Sequence, residues 1–245
     1  MKSKLIIGLI IINIILIIPQ TVLGNPEDDR EGLKSIEINK DMKINDDVFE
    51  FIDSFINKGI IVGDLFVLGR KIYNEGIIHG DILGISLFTE ILGTIKGDVR
   101  MATKSLKISG PVFRNVSALV DKFILDKSGV VDGSMTLIGN EVKIDGLIGT
   151  DLRGKAKTLT ITGEIKGNVD MEVEKVVFGT NGKVSGDFNY SSHEKIIIPM
   201  SNINGSINYE KKESFFEKIK IKKNLRYFQA FKNTLDIYMR VFRCI

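Results

Sequence analysis

The sequence predicts an all-β fold: a single-stranded parallel β-helix with coils of 17 to 19 residues, followed by a C-terminal amphipathic helix. Three observations predict it. Gly63, Gly80 and Gly97 stand 17 residues apart, each opening a Gly-Asp-aliphatic phrase, and the register runs on through Arg114, Gly133, Thr150, Gly167, Gly186 and Gly205 in steps of 17 or 19. A second glycine follows 13 residues behind the first at Gly76, Gly93, Gly110, Gly146 and Gly163, and 15 behind at Gly129 and Gly182. Between these markers apolar residues alternate instead of recurring at helical spacing. Two turn signals per copy at a fixed period describe a solenoid.

The first element is of another kind. Lys2 and Lys4 precede an apolar run from Leu5 to Ile18, then come Pro19 and Val22-Leu23-Gly24. That order predicts a secretory signal peptide over residues 1–24. The alternative is an anchor that is kept, because the run extended to Leu23 approaches the roughly 20 residues that span a bilayer. Either reading places the repeat outside the cytoplasm, at the cell envelope or associated with a membrane. Residues 25–45 read as a linker or cap. From Asp46 to Val62 the register is held loosely through Val48, Phe55, Gly59 and Ile61, as in a worn extra coil that caps the solenoid.

The β-helix proper is expected over residues 46–209. In the third copy Val99, Met101, Leu106, Ile108 and Val112 fall on inward positions, and Met135, Leu137, Val142, Ile144 and Ile148 repeat them. About five inward side chains per coil suit three short strands around a narrow triangular core, each pairing with the coils above and below at roughly 4.8 Å. Corner glycines suit tight bends, often with positive φ. Asp64, Asp81, Asp98, Asp151 and Asp187 take the next position, with Asn115 and Asn168, where they can hydrogen-bond the turn backbone. A calcium ladder is the competing reading of that column. It is disfavoured because the glycine-rich nonapeptide is missing and Ser134 and Ser206 interrupt the column. Gly84 and Gly154 take inward places and thin the core. The eighth copy slips its middle pair to Ile196 and Ile198, and the ninth keeps only Ile207 and Tyr209, so the repeat ends near Glu210.

Residues 210–245 change in charge and period. From Lys211 onward there are ten Lys or Arg against three acidic residues, a net +7, so with a total of +3 the rest of the chain carries −4. Phe216, Ile219, Leu225, Phe228, Phe231, Leu235, Tyr238 and Phe242 fall largely three or four apart, with Lys222, Lys223 and Arg226 among the residues between them. A basic, aromatic amphipathic helix suits an anionic membrane surface, with Phe216, Phe228, Phe231, Lys222, Lys223 and Arg226 as contacts. The alternative is a helix folded back to cap the solenoid.

Little in the sequence points to chemistry. His79 and His193 are the only histidines, and Cys244 is the only cysteine, so neither a metal set nor a catalytic triad spacing occurs and no intramolecular disulfide can form. The outward column between the first inward pair reads Phe66, Leu83, Arg100, Ser117, Thr136, Arg153, Asp170, Asn189 and Asn208, without the paired carboxylates of a polysaccharide lyase or hydrolase. The hexapeptide period of acyltransferase helices is absent as well. The reading is a protein that is not an enzyme, with no catalytic residue, cofactor, metal, nucleotide or nucleic-acid partner.

Gly63-Asp64-Leu65-Phe66-Val67-Leu68-Gly69, Gly76-Ile77-Ile78-His79-Gly80-Asp81, Gly93-Thr94-Ile95-Lys96-Gly97-Asp98-Val99 and Gly163-Glu164-Ile165-Lys166-Gly167-Asn168-Val169 together resemble the polymer-forming, bactofilin-like proteins over roughly residues 46 to 209. The resemblance implies a right-handed, three-sided β-helix that assembles end to end into a homopolymer without nucleotide, as a scaffold at the envelope. An end coil leaves a row of backbone groups unpaired, which makes Ile207 and Tyr209 the expected self-assembly residues. The competing function is an exported surface module that binds glycan or peptidoglycan without polymerising.

Overall fold

The computed structural model describes residues 35–213, and these form a parallel β-solenoid of about ten turns. The segments expected to be a signal peptide (residues 1–24) and a C-terminal amphipathic helix, the latter with Phe216, Lys222, Lys223, Arg226, Phe228 and Phe231, lie outside the described residues. β1 (Ser35–Ile38) and β2 (Lys43–Ile44) make a partial first coil. Each later coil has one long strand and one short strand. The long ones are β3 (Val48–Asn57), β5 (Leu65–Asn74), β7 (Ile82–Ile91), β9 (Val99–Ile108), β11 (Val116–Leu125), β13 (Met135–Ile144), β15 (Leu152–Ile161) and β17 (Val169–Phe178). The short ones are β4 (Ile60–Ile61), β6 (Ile77–Ile78), β8 (Thr94–Ile95), β10 (Pro111–Val112), β12 (Val130–Val131), β14 (Leu147–Ile148), β16 (Glu164–Ile165) and β18 (Lys183–Val184). β19 (Phe188–Ser192) and β20 (Ile207–Lys211) close the series as shorter strands.

The long strands stack in chain order into an 11-stranded parallel sheet from β1 to β20, and the short ones into a nine-stranded sheet from β2 to β18. Equivalent residues sit directly over one another: Val99 pairs with Val116, which pairs with Met135. Each coil therefore buries its apolar side chains on those of its two neighbours while its backbone groups pair in the ladder. Val99, Leu106, Ile108, Val112, Met135, Leu137, Ile144 and Ile148 are fully buried.

Three features differ from the sequence expectation. The segment from Asp46 to Val62 is a complete coil and not a worn one, since β3 pairs with β5 from Val48↔Leu65 to Asn57↔Asn74. Each coil also has a sixth inward position at the middle of the long strand. It is filled by Ile52, Gly69, Ser86, Thr103, Val120, Gly139, Ala156 and Val173, all buried. After it two outward residues follow in succession, as at Asp121 and Lys122, so the alternation slips and the strand turns a corner.

The third difference concerns the glycines. Among the described glycines only Gly154 has positive φ, at 134°. The repeat glycines answer a different need, which is close stacking of one coil on the next. A Cβ on Gly80 would collide with Oδ1 of Asp64 and with the carbonyl oxygen of Gly63, and one on Gly93 would collide with the carbonyl oxygen of Gly76.

Candidate functional site: the end coils and the outer sheet face

The aspartate column is a hydrogen-bond ladder that runs along the solenoid. Oδ1 of Asp64 accepts the backbone N–H of Asp81 at 2.7 Å, Asp81 accepts that of Asp98 at 2.8 Å, and Asp98 that of Asn115 at 2.9 Å. Asn168 and Asp187 continue it by accepting from Asp187 and Ser206, each at 2.8 Å. The acceptor thus serves the next coil and not its own turn. Burial alone would raise the Asp81 carboxyl, but the N–H of Asp98 and the guanidinium of Arg100 outweigh it and hold the group low. Among the described residues no group of three or more His, Cys, Asp or Glu is placed to hold a metal ion. His79 and His193 are exposed.

Polar groups are also buried inside the first coils. Asn57 Nδ2 donates to Asn74 Oδ1 at 2.7 Å, and Asn74 Nδ2 donates to the carbonyl of Gly76 at 3.2 Å, with both asparagines fully buried. Ser86 Oγ lies 2.6 Å from Thr89 Oγ1 and 2.8 Å from Thr103 Oγ1. Asn57–Asn74 and Ser86–Thr103 bond across neighbouring coils, and Asn74–Gly76 and Ser86–Thr89 within one, so the clusters are internally satisfied and help fix register.

The two ends differ. At the front, β1 covers only Ser54–Asn57 of β3, and no described strand lies over Val48–Ile52. Glu50 occupies an inward position on that uncovered stretch, and loss of hydration raises its carboxyl above the ordinary value. An inward-pointing charge on an edge strand discourages pairing with a second chain.

At the back, β20 pairs with β19 from Phe188↔Ile207 to Ser192↔Lys211, and its other edge meets no described strand. Ile207 and Tyr209 are half-buried and pack on the core. Tyr209 ends a file of aromatic rings: Phe178 to Phe188 and Phe188 to Tyr190 at 5.8 Å, then Tyr190 to Tyr209 at 5.2 Å. Tyr190 is held by its hydroxyl, which donates to the carbonyl of Ile196 at 3.0 Å, and burial pushes that hydroxyl up. Below it the strand pattern fails: Met200–Asn202 is a 3-10 turn, and Ile203 makes an isolated bridge to Val184. The residues expected to carry assembly are therefore together on a strand whose outer edge meets no described strand, alternating with the exposed Asn208 and Glu210.

The outer face of the long-strand sheet holds a feature that the sequence column missed by starting at Phe66. Phe49 lies one coil earlier, is 67% exposed, and stacks on Phe66 with ring centroids 4.6 Å apart and planes 3° apart. Leu83 follows in the same column, and Leu68 and Ile85 flank it two residues on. Toward the back the column turns polar, through Arg100 to Asn208. Comparison with family models, curated proteins and solved structures gives no match for this chain.

Proposed function

We propose that this protein is a non-enzymatic scaffold whose β-helix, right-handed and three-sided, self-assembles through its terminal coils at the cell envelope. The observation that carries the reading is the β20 edge, where a row of backbone groups that meets no described strand and the half-buried Ile207 and Tyr209 lie side by side. Such an edge recruits a further strand unless it is covered. The front coil offers Glu50 and a half-covered strand, so the back end is the stronger joint. The resemblance of the Gly-Asp repeat to bactofilin-like proteins supports assembly without nucleotide.

Export by residues 1–24 and contact of the C-terminal residues with an anionic membrane complete the proposal, with Phe216, Phe228, Phe231, Lys222, Lys223 and Arg226 as the membrane contacts. A glycan-binding module is the weaker alternative. The outward rings of Phe49 and Phe66 face each other and present edges to solvent, where sugar stacking requires faces. Electron microscopy of the purified chain without nucleotide tests the reading: filaments or end-to-end oligomers support it, and isolated rods about one solenoid long overturn it.

A further inference from the structure

The apolar stretch of the outer sheet face requires an occupant. Phe49, Phe66, Leu68, Leu83 and Ile85 form one contiguous outward patch on β3, β5 and β7, with Phe49 67% and Ile85 38% exposed. A contiguous exposed apolar patch on a parallel sheet marks a contact surface. We infer that it is the docking face for the C-terminal segment of the same chain, residues 214–245, laid back along the sheet from β20 toward β3. This goes beyond the assembly proposal and leaves the β20 edge free.

Length, direction and hydropathy order all favour this occupant. Nine strand steps separate β20 from β3 in the sheet, a path of about 43 Å at the ordinary strand spacing. The 32 residues after Glu213, in the helical form that their spacing predicts, reach about 48 Å. At the last described residues the backbone still runs in the ladder, and one side chain reaches that way. The N–H of Lys212 bonds the carbonyl of Ser192 at 2.9 Å, and its Nζ reaches back over the face to Glu172 on β17 at 3.7 Å.

The order of residue types matches as well. Near the exit the face is polar and charged, with Glu210, Asn208, Asn189 and Asp170, and toward Phe49 it becomes more apolar through Ile138 and Leu119, with Arg100 between them and the Phe49 patch. After Ser214, Phe215 and Phe216 the segment runs in a similar order, with the lysine cluster Lys218, Lys220, Lys222 and Lys223 in its first half and Phe231, Leu235, Tyr238 and Phe242 in its second, beside Lys232, Arg240 and Arg243. At about 1.5 Å per residue the late aromatics fall over β11 to β3. The apolar row that suits a membrane surface thus has a second dock on the solenoid, and the two compete.

Cys244, the single cysteine, makes the test direct. The full chain carrying Asp46→Cys is oxidised at high dilution and compared with the chain carrying Ser206→Cys, which places the new thiol on the turn leading into β20. Docking predicts an intramolecular disulfide that forms about tenfold faster for Asp46→Cys, because docking raises the effective concentration at the far end. Phe66→Asp, or Leu83→Ser if the first variant melts early, is expected to abolish that preference. Equal or faster closure at Ser206→Cys overturns the inference. An intermolecular product assigns the patch to a second copy and overturns it too. So does flotation of the chain with anionic vesicles that Phe66→Asp removes while the closure preference stays unchanged, since the patch would then belong to a bilayer.

Discussion

The Asp64 carboxylate stands where a side chain on Gly80 would begin, and the same oxygen accepts the backbone N–H of Asp81 at 2.7 Å. The glycine column and the aspartate column are therefore one device. Each glycine leaves room for the acceptor of the coil before it, and each acceptor fixes the turn of the coil after it. Gly80→Ala should lower stability by about 1–3 kcal/mol through overpacking, and Asp64→Ala by about 1 kcal/mol through one lost hydrogen bond. Because the two residues touch, the double variant should cost less than the sum. Urea unfolding of the three variants checks this, and strict additivity would separate the two columns.

Asn57 and Asn74 share one buried hydrogen bond inside the front coils. Asn74→Leu leaves the Asn57 amide nitrogen without its acceptor, while the Gly76 carbonyl keeps the N–H of Thr94 at 3.0 Å, so the cost is about 1–3 kcal/mol. Replacing both by Leu continues the apolar column formed beyond them by Ile91 and Ile108, both fully buried. The double variant should be closer to wild type than two independent losses imply. Thermal unfolding of the single and double variants measures the difference.

Ile108 is fully buried at the centre of the solenoid. Ile108→Asp places an unpaired charge there, which costs several kcal/mol against the roughly 5–15 kcal/mol that stabilises a domain. Loss of the cooperative far-UV transition is the expected result, and an unchanged melting temperature would refute the inward assignment.

The back coil should loosen in acid. Asp187 accepts the backbone N–H of Ser206 and then its hydroxyl, both at 2.8 Å, and these bonds hold its carboxyl below the ordinary 3.8. A depressed carboxylate contributes stability that is present above the unfolded value and is lost as pH falls through the folded one. The Ser206 amide resonance should therefore shift below pH 3.8. Asp187→Asn should remove the shift, as the amide oxygens of Asn115 and Asn168 already accept the same bond in their coils. Glu50 acts in the opposite direction, since its raised carboxyl makes the front coil less stable as pH rises.

The fold was legible because stacking forces identical demands on every coil. The inward positions Val99, Met101, Leu106, Ile108 and Val112 repeat as aliphatic residues, and the turn glycines repeat with them. The sixth inward position was not legible from hydrophobicity. Gly69, Ser86, Thr103 and Gly139 occupy it, and Ser86 and Thr103 are buried because they satisfy each other across coils. Glu50 and Asn57 hid the first full coil, since a polar inward residue reads as a lapse in the repeat. The reason for the glycines was misread because a tight turn and a close approach leave the same mark in a sequence. At the candidate site, Ile207 and Tyr209 were visible as the last alternating pair. The Phe49–Phe66 stack was not, because the outward column was read only from Phe66.

Self-association through the back coil is the central claim, and sedimentation velocity of the purified chain over a wide concentration range without nucleotide tests it most directly. The account predicts concentration-dependent growth beyond the monomer, weakened by Ile207→Lys at the open edge and left unchanged by Lys104→Glu on the exposed flank. A single monomeric species at the highest concentration, or equal loss of association in both variants, would contradict it.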